Sequence, residues 1–254
     1  VIDAHIHVDW YREEELQSML HSLPTYHVKG LIAVSSCLAS CQSVWNLHQT
    51  YKDILPAFGW HPEQPIPHPE EIQRIESMIK KHHQQIVAIG EVGLPYYTKK
   101  ENPSLHIEPY EEILRRFLVL AKRYDLPIVL HGIYEDAVYI MDLLEQYDIQ
   151  KAHFHWFKGD VQTMKRMIAR HYMISITPDC VYEQEIQAIV HYYPIELMMV
   201  ETDGPWPFKG PFANQLTHPK MMQASIEQIA AIKGMQVDEA DRILEHNTKV
   251  FYQL

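Results

Sequence analysis

Five apolar runs of this sequence stop at side chains that bind cations or carry protons. The chain opens VIDAHIHVDWY, with His5 and His7 one residue apart. Strand alternation would place Asp3, His5 and His7 on one face and Ile2, Ala4 and Ile6 on the other. One buried histidine is ordinarily satisfied by one hydrogen bond. Two adjacent buried imidazoles are costly unless something neutralises their polarity, and a divalent cation does so directly. Further on, IVAIGE ends at Glu91 and LPIVLH at His131, AHFH carries His153 and His155, and MMVETD reaches Asp203. Gly90 and Gly93 flank Glu91 and would let the backbone crowd a bound group. Imidazoles and carboxylates in such a set suit one or two divalent ions.

The elements that must position them are legible as a pattern. Eight short apolar or β-branched runs read as strands: 1–7, 30–36, 54–60, 86–91, 126–132, 151–157, 172–178 and 195–201. Amphipathic segments separate them. Leu16, Met19, Leu20 and Leu23 make one stripe over 13–23. Ile72, Ile75, Met78 and Ile79 make another over 70–82. Ile113, Leu114, Phe117, Leu118 and Ala121 make a third over 110–124. Strands alternating with helices predict an α/β fold, a single (β/α)8 TIM barrel over 1–254 with an extra C-terminal helix in 237–254. A doubly wound open sheet has the same element count. In a barrel, the C-terminal rim of the strands is where sites lie, and the ligand-type residues stand there. The Pro-rich stretches 62–71 and 204–212 read as loops within this domain.

Bulk properties set the class. The chain has 254 residues, 46% hydrophobic and 22% charged, with a formal net charge of −11. That balance speaks against a broad nonspecific nucleic-acid coat but leaves room for a compact site where cations supply positive charge. No apolar run approaches the roughly 20 residues of a membrane helix, and no signal peptide is visible. With only Cys37, Cys41 and Cys180, the expectation is a reducing, cytoplasmic compartment without disulfides. Cys37 and Cys41, lacking a second pair, read as small residues flanking a helix start.

Six motifs in order, DAHIH (3–7), GWHP (59–62), GEVGL (90–94), PIVLH (127–131), HWFKG (155–159) and ETDGP (201–205), resemble those of the TatD family of metal-dependent hydrolases, in the amidohydrolase superfamily. The resemblance runs from residue 3 to the C-terminal helix, where Asn247 and Phe251 also fit. It implies a (β/α)8 barrel with two divalent metal ions (Mg2+, Mn2+ or Zn2+). His5 and His7 would hold one metal, Glu91 would bridge, and His131 and His155 would complete the second site. Asp203 would ligate the first metal and take the proton of the attacking water. His153 would support the site or pack, and Asp3 would support it as well. His61 is not an implied ligand; it would donate a hydrogen bond to a substrate phosphate or pack its loop. The implied activity is a phosphodiesterase, a deoxyribonuclease acting on DNA ends.

Two positions depart from the family pattern. Gly93-Leu94-Pro95-Tyr96 has proline where an aspartate is usual, and His131-Gly132-Ile133-Tyr134 lacks the usual arginine two residues after the histidine. Arginine is a bidentate phosphate partner. Lys158 or Lys209 is its candidate replacement, or either is a solvated surface charge. Trp10, Tyr11, Trp60, Tyr96, Tyr97, Tyr134, Trp156, Trp206 and Phe208 cluster near the predicted rim, to stack on bases, line a small-molecule pocket or pack loops. The departures keep a second reading open: an amide, ester or lactone hydrolase, including aminoacyl-tRNA ester cleavage. A metal-binding protein without catalysis is a third, disfavoured by Asp203.

Overall fold

The computed structural model describes residues 1–254. Eight strands follow one another around the sheet in chain order: β1 (Asp3–Ile6), β2 (Leu31–Val34), β3 (Ile54–Phe58), β4 (Ala88–Gly93), β5 (Ile128–His131), β6 (Ala152–Phe154), β7 (Met173–Ile176) and β8 (Met198–Val200). Neighbouring strands are parallel throughout. The helices are α1 (Glu13–Ser22), α2 (Leu38–Thr50), α3 (Pro69–His82), α4 (Tyr96–Glu101), α5 (Glu108–Tyr124), α6 (Tyr134–Gln146), α7 (Val161–Ala169), α8 (Gln184–Tyr192), α9 (Met222–Lys233) and α10 (Val237–Tyr252). Each parallel crossover carries a helix, as it must. A doubly wound sheet would reverse its strand order, and this one does not. The fold is a (β/α)8 barrel, and α10 is the predicted extra helix.

The predicted helical stripes are the buried faces. Ile72, Ile75 and Ile79 of α3 are buried, as are Ile113, Leu114, Phe117, Leu118 and Ala121 of α5. Cys37 caps α2 and Cys41 sits in its first turn. The short α4 has no apolar stripe and buries none of its residues, which is why periodicity does not reveal it.

Two cores flank the sheet. The larger joins outward strand residues to the helices. The smaller contains Ala4, Ile32, Val34, Ala57, Ala88, Val129, Met173 and Met199, one or two from nearly every strand. A cluster of that membership is the barrel interior. Ile2 and Tyr252, the latter from α10, join it where the strands begin. Asn247 of α10 donates to the carbonyls of Ile195 (2.7 Å) and Met198 (2.8 Å), tying that helix beneath β8.

Strict alternation in β1 does not hold. Ala4 belongs to the interior cluster and Ile6 to the outer one. Between Asp3 and Ile6 the strand advances three residues while β2 advances two, Leu31 to Ala33. The extra residue is a bulge, and it re-aims His5. The same device recurs in β4, where Ile89 to Val92 pairs with Ile128 to Leu130 on β5, and Glu91 lies within the irregularity. The glycines around Glu91 also serve differently from expectation. A Cβ on Gly90 would stand 2.6 Å from the Val129 Cβ, and one on Gly93 would stand 2.0 Å from the His131 carbonyl oxygen. They let β4 approach β5 rather than a ligand. Gly93→Ala is therefore expected to cost on the order of 3 kcal/mol or more, because backbone must move. A urea midpoint equal to that of the unaltered protein would contradict this close approach.

Candidate metal centre

Glu91 is fully buried, and its two carboxylate oxygens face different partners. Oε2 stands 3.2 Å from His5 Nε2 and 3.3 Å from His7 Nε2. Oε1 stands 2.8 Å from His155 Nε2, 3.0 Å from His131 Nδ1 and 3.3 Å from His61 Nε2. Asp203 joins the first group, with Oδ1 3.3 Å from His5 Nε2 and 3.5 Å from His7 Nε2. All six residues expected as ligands thus converge. His61, expected outside the ligand set, stands beside Glu91 with them.

The backbone explains the convergence. His5 and Glu91 ride on the two bulges, His131 ends β5, and His155 follows β6 directly. Asp203 adopts a positive φ of 48°, a conformation rare outside glycine that re-aims the side chain beyond β8. Its N–H donates to the His5 carbonyl (2.9 Å), and the His7 N–H donates to the Gly204 carbonyl (2.8 Å). Asp3 strengthens that seam. Its carboxylate accepts from Thr202 N (3.0 Å), Thr202 Oγ1 (2.6 Å) and His5 N (3.2 Å). It holds the backbone of two ligand-bearing segments and touches none of the site imidazoles. Burial outweighs those donors and pushes its carboxyl up to about 7. The rings are stacked as well: His5 on His155 at 3.8 Å, and His7 on Trp10 at 3.9 Å.

Orphaned polar atoms make this a candidate cation site. His5 Nδ1 and Nε2, His7 Nδ1, Glu91 Oε2 and His155 Nδ1 are buried without a hydrogen bond, although the ion-pair distances above are short. Buried polar atoms are normally satisfied, and cations would satisfy the ring nitrogens and carboxylate oxygens that converge here. Three donor groups lie close enough to share an ion: His5, His7 and Asp203; His61, Glu91 and His131; and His5, His155 and Glu201. The charges agree. Burial would raise the Glu91 carboxyl, but His61, His155 and His5 hold it well below the usual carboxylate range. Burial and His155 oppose protonation of His5, yet Glu91 and Asp203 carry it up to about 9. The cluster demands positive charge.

Tautomers separate ligands from donors. The Glu63 N–H donates to His61 Nδ1 at 3.1 Å, so neutral His61 carries its proton on Nε2 and faces the site as a donor. Burial pushes His61 down to about 4, which keeps it neutral. His153 is elsewhere. Its Nδ1 meets Tyr252 Oη (2.7 Å) and its Nε2 meets Ser175 Oγ (2.6 Å). Ser175 donates to Glu201 Oε2 (2.5 Å), and Glu201 Oε1 accepts from Trp156 N (2.9 Å) while facing His155 Nδ1 at 3.5 Å. His153 therefore supports the centre through a chain of hydrogen bonds. Sequence reasoning missed Glu201 and Glu63 as participants. The only signals were their places inside ETD and just after GWH.

Above the cluster opens a cavity of about 870 Å³. His7, His61, His131, His155 and Asp203 form its floor. Trp10, Tyr97, Trp156, Trp206 and Phe208 line its walls, with Lys158 and Lys209 and the carboxylates of Glu101, Asp179, Glu183 and Glu185. The other rim-region aromatics pack: Trp60 is buried, Tyr11 donates to the Thr217 carbonyl (2.9 Å), and Tyr96 lies against Tyr134.

The model of the family described as TatD related DNase matches residues 2–253. The chain belongs to the TatD family. It is 37% identical over 256 residues, the full length of both chains, to an uncharacterized metal-dependent hydrolase of Haemophilus influenzae. It is 27% identical to human deoxyribonuclease TATDN3, covering all of this chain and 95% of the relative. The crystal structure of YjjV, a TatD homolog from Escherichia coli, superposes with a TM-score of 0.89 at 23% identity, over 100% and 98% of the two chains. As a member of the TatD family the protein is a metal-dependent hydrolase, and no helix is long and apolar enough to cross a membrane. A cation that binds only the folded TatD barrel stabilises it by about 2.7 kcal/mol at a hundredfold excess over Kd. Adding Zn2+ or Mn2+ to chelator-stripped protein is expected to raise Tm accordingly, and Glu91→Gln to lose most of that gain. An unchanged Tm in calorimetry would count against the cluster as a cation site.

Proposed function

We propose that this protein is a two-metal phosphodiesterase, a deoxyribonuclease acting on DNA ends. The observation that carries the reading is the division of Glu91 between two donor groups at the floor of an aromatic-walled cavity. His5, His7 and Asp203 would hold one ion, His131 and His155 the other, with Glu91 shared. When bound, a pair of divalent ions supplies an activated water at neutral pH and charge neutralisation for the attacking and leaving oxygens. The donor mix of imidazole and carboxylate suits Zn2+ or Mn2+ and also admits Mg2+.

The chain's own groups supply the rest. Asp203 is 8% exposed at the cavity floor, so its carboxylate can accept the water's proton. His61 presents Nε2–H toward the same floor and can donate to a phosphoryl oxygen. Lys158, 5.0 Å from the Trp156 ring, and Lys209 stand where a phosphate backbone would enter. Trp10 and Trp206, 48% and 54% exposed, offer faces on which unpaired bases stack.

One observation favours a second reading. No arginine lines the cavity, and Glu101, Glu183 and Glu185 do. Carboxylates at the mouth repel a polyanion and suit a smaller amide, ester or lactone, aminoacyl esters included. Both readings are decided by one comparison: single-stranded DNA with a free 3′ end against a simple phosphodiester and a panel of esters, amides and lactones, with added Mg2+, Mn2+ or Zn2+. The expected result is release of nucleotides from the DNA end. Brisk lactone or ester turnover with intact DNA overturns it. Asp203→Asn is expected to lower turnover by about 10²–10⁴-fold while most of the metal-dependent gain in Tm remains. Full activity in that variant removes Asp203 from the chemistry.

A further inference from the structure

Glu63 lies outside the ligand set, in the loop after β3, yet it touches both of the histidines whose ring nitrogens have opposite tasks. Its backbone N–H donates to His61 Nδ1 (3.1 Å). Its side-chain Oε1 stands 3.1 Å from His131 Nε2, while His131 Nδ1 stands 3.0 Å from Glu91 Oε1. A carboxylate that accepts the Nε2–H leaves Nδ1 as the free lone pair, turned toward Glu91. The remaining capacity of Glu63 is spent on α4. Oε1 accepts from Tyr97 N (2.7 Å), and Oε2 accepts from Thr98 N (2.7 Å) and Thr98 Oγ1 (2.6 Å). Those donors stand at the start of a helix with no buried residue of its own, and Tyr97 and Thr98 line the cavity.

We propose that Glu63 is a positioning residue for the second half of the centre: its carboxylate commits His131 to bind through Nδ1 and fastens the α4 wall of the cavity to that ligand. The inference rests on the metal-centre reading above. A carboxylate behind a metal-bound histidine fixes ring orientation and raises basicity, and losing it commonly costs 10–100-fold in metal affinity. The neutral amide of Glu63→Gln keeps the volume but cannot accept on both sides, since one of its termini is a donor. Thr98→Val is the control. It removes the hydroxyl donor to Oε2 and leaves the contact with His131 in place.

The experiment is Co2+ titration of chelator-stripped protein, followed by the visible d–d spectrum and calorimetry, with metal-free melting curves to establish folding. The unaltered chain is expected to take up two equivalents. In Glu63→Gln the second equivalent is expected to bind about 10–100-fold more weakly with an altered spectrum. The first equivalent should be unchanged, and amide exchange over residues 96–101 should accelerate. Thr98→Val should retain both affinities. No Co2+ uptake by the unaltered chain overturns the metal-centre reading and this one with it. Unchanged spectrum and affinity in Glu63→Gln overturns only the role of Glu63. A Thr98→Val variant as weakened as Glu63→Gln overturns the direct action on His131.

Discussion

Glu91 is buried inside the barrel, and a carboxylate there needs positive charge and donors on every side. Five imidazoles meet that need, from β1 and the residue after it, the loop after β3, the end of β5 and the residue after β6, with Asp203 opposing from beyond β8. No local segment could assemble such a set. Only a closed ring of parallel strands brings residues so distant in the chain within a few ångströms, each on a rigid element. The barrel exists physically as the solution to burying its apolar strands, but its rim is where the polar cost concentrates. That cost is offset by what surrounds Glu91: cation-seeking ring nitrogens, the Tyr252–His153–Ser175–Glu201 chain below, and the Asp3–Thr202 seam at the side.

The parts legible in the sequence were those with a period or an abrupt stop. All eight strands lie within the apolar runs or run on just past one of them, as β4 does to Gly93, and the stripes of α3 and α5 are the buried faces. His5, His7, Glu91, His131, His155 and Asp203 were visible because a polar residue ending an apolar strand is conspicuous. Strict alternation turns His5 inward but would turn Ala4 outward, against its place in the barrel interior. A bulge adds one residue, so Ala4 and His5 both turn inward, and a bulge leaves no mark in a single sequence. Glu63 and Glu201 were illegible for a different reason. Each serves another side chain, and the geometry that makes it matter is tertiary.

The positions where the chain departs from its family's pattern can be placed physically. Pro95 immediately precedes α4 and cannot donate or accept through a side chain. A carboxylate on that side of the cavity that reaches a site histidine is Glu63, arriving from the loop after β3 and bonded to the two amides that follow Tyr96. Two residues after His131, where the family carries its arginine, stands Ile133, which is buried and lines the cavity with an apolar side chain. An isoleucine there offers no hydrogen-bond donor to a phosphate. Cationic groups enter the cavity instead from Lys158 and Lys209, on different loops.

Chemistry and selectivity are consequently built on different parts of the molecule. The floor is made by strand ends and bulges, locked by ladder bonds and by ring stacking at 3.8–3.9 Å, so its donors have little freedom. The walls are made by loops, α4 and the segment after Asp203, where exposed Trp10 and Trp206 stand among carboxylates and two lysines. A rigid floor of this kind serves the hydrolytic chemistry; the walls decide which substrate reaches it. Glu63 is the residue that spans the two, one carboxylate holding both a ring nitrogen of the floor and the first amides of a wall. Occupancy of the floor and shape of the wall then share one set of hydrogen bonds, so a change in either is felt by the other.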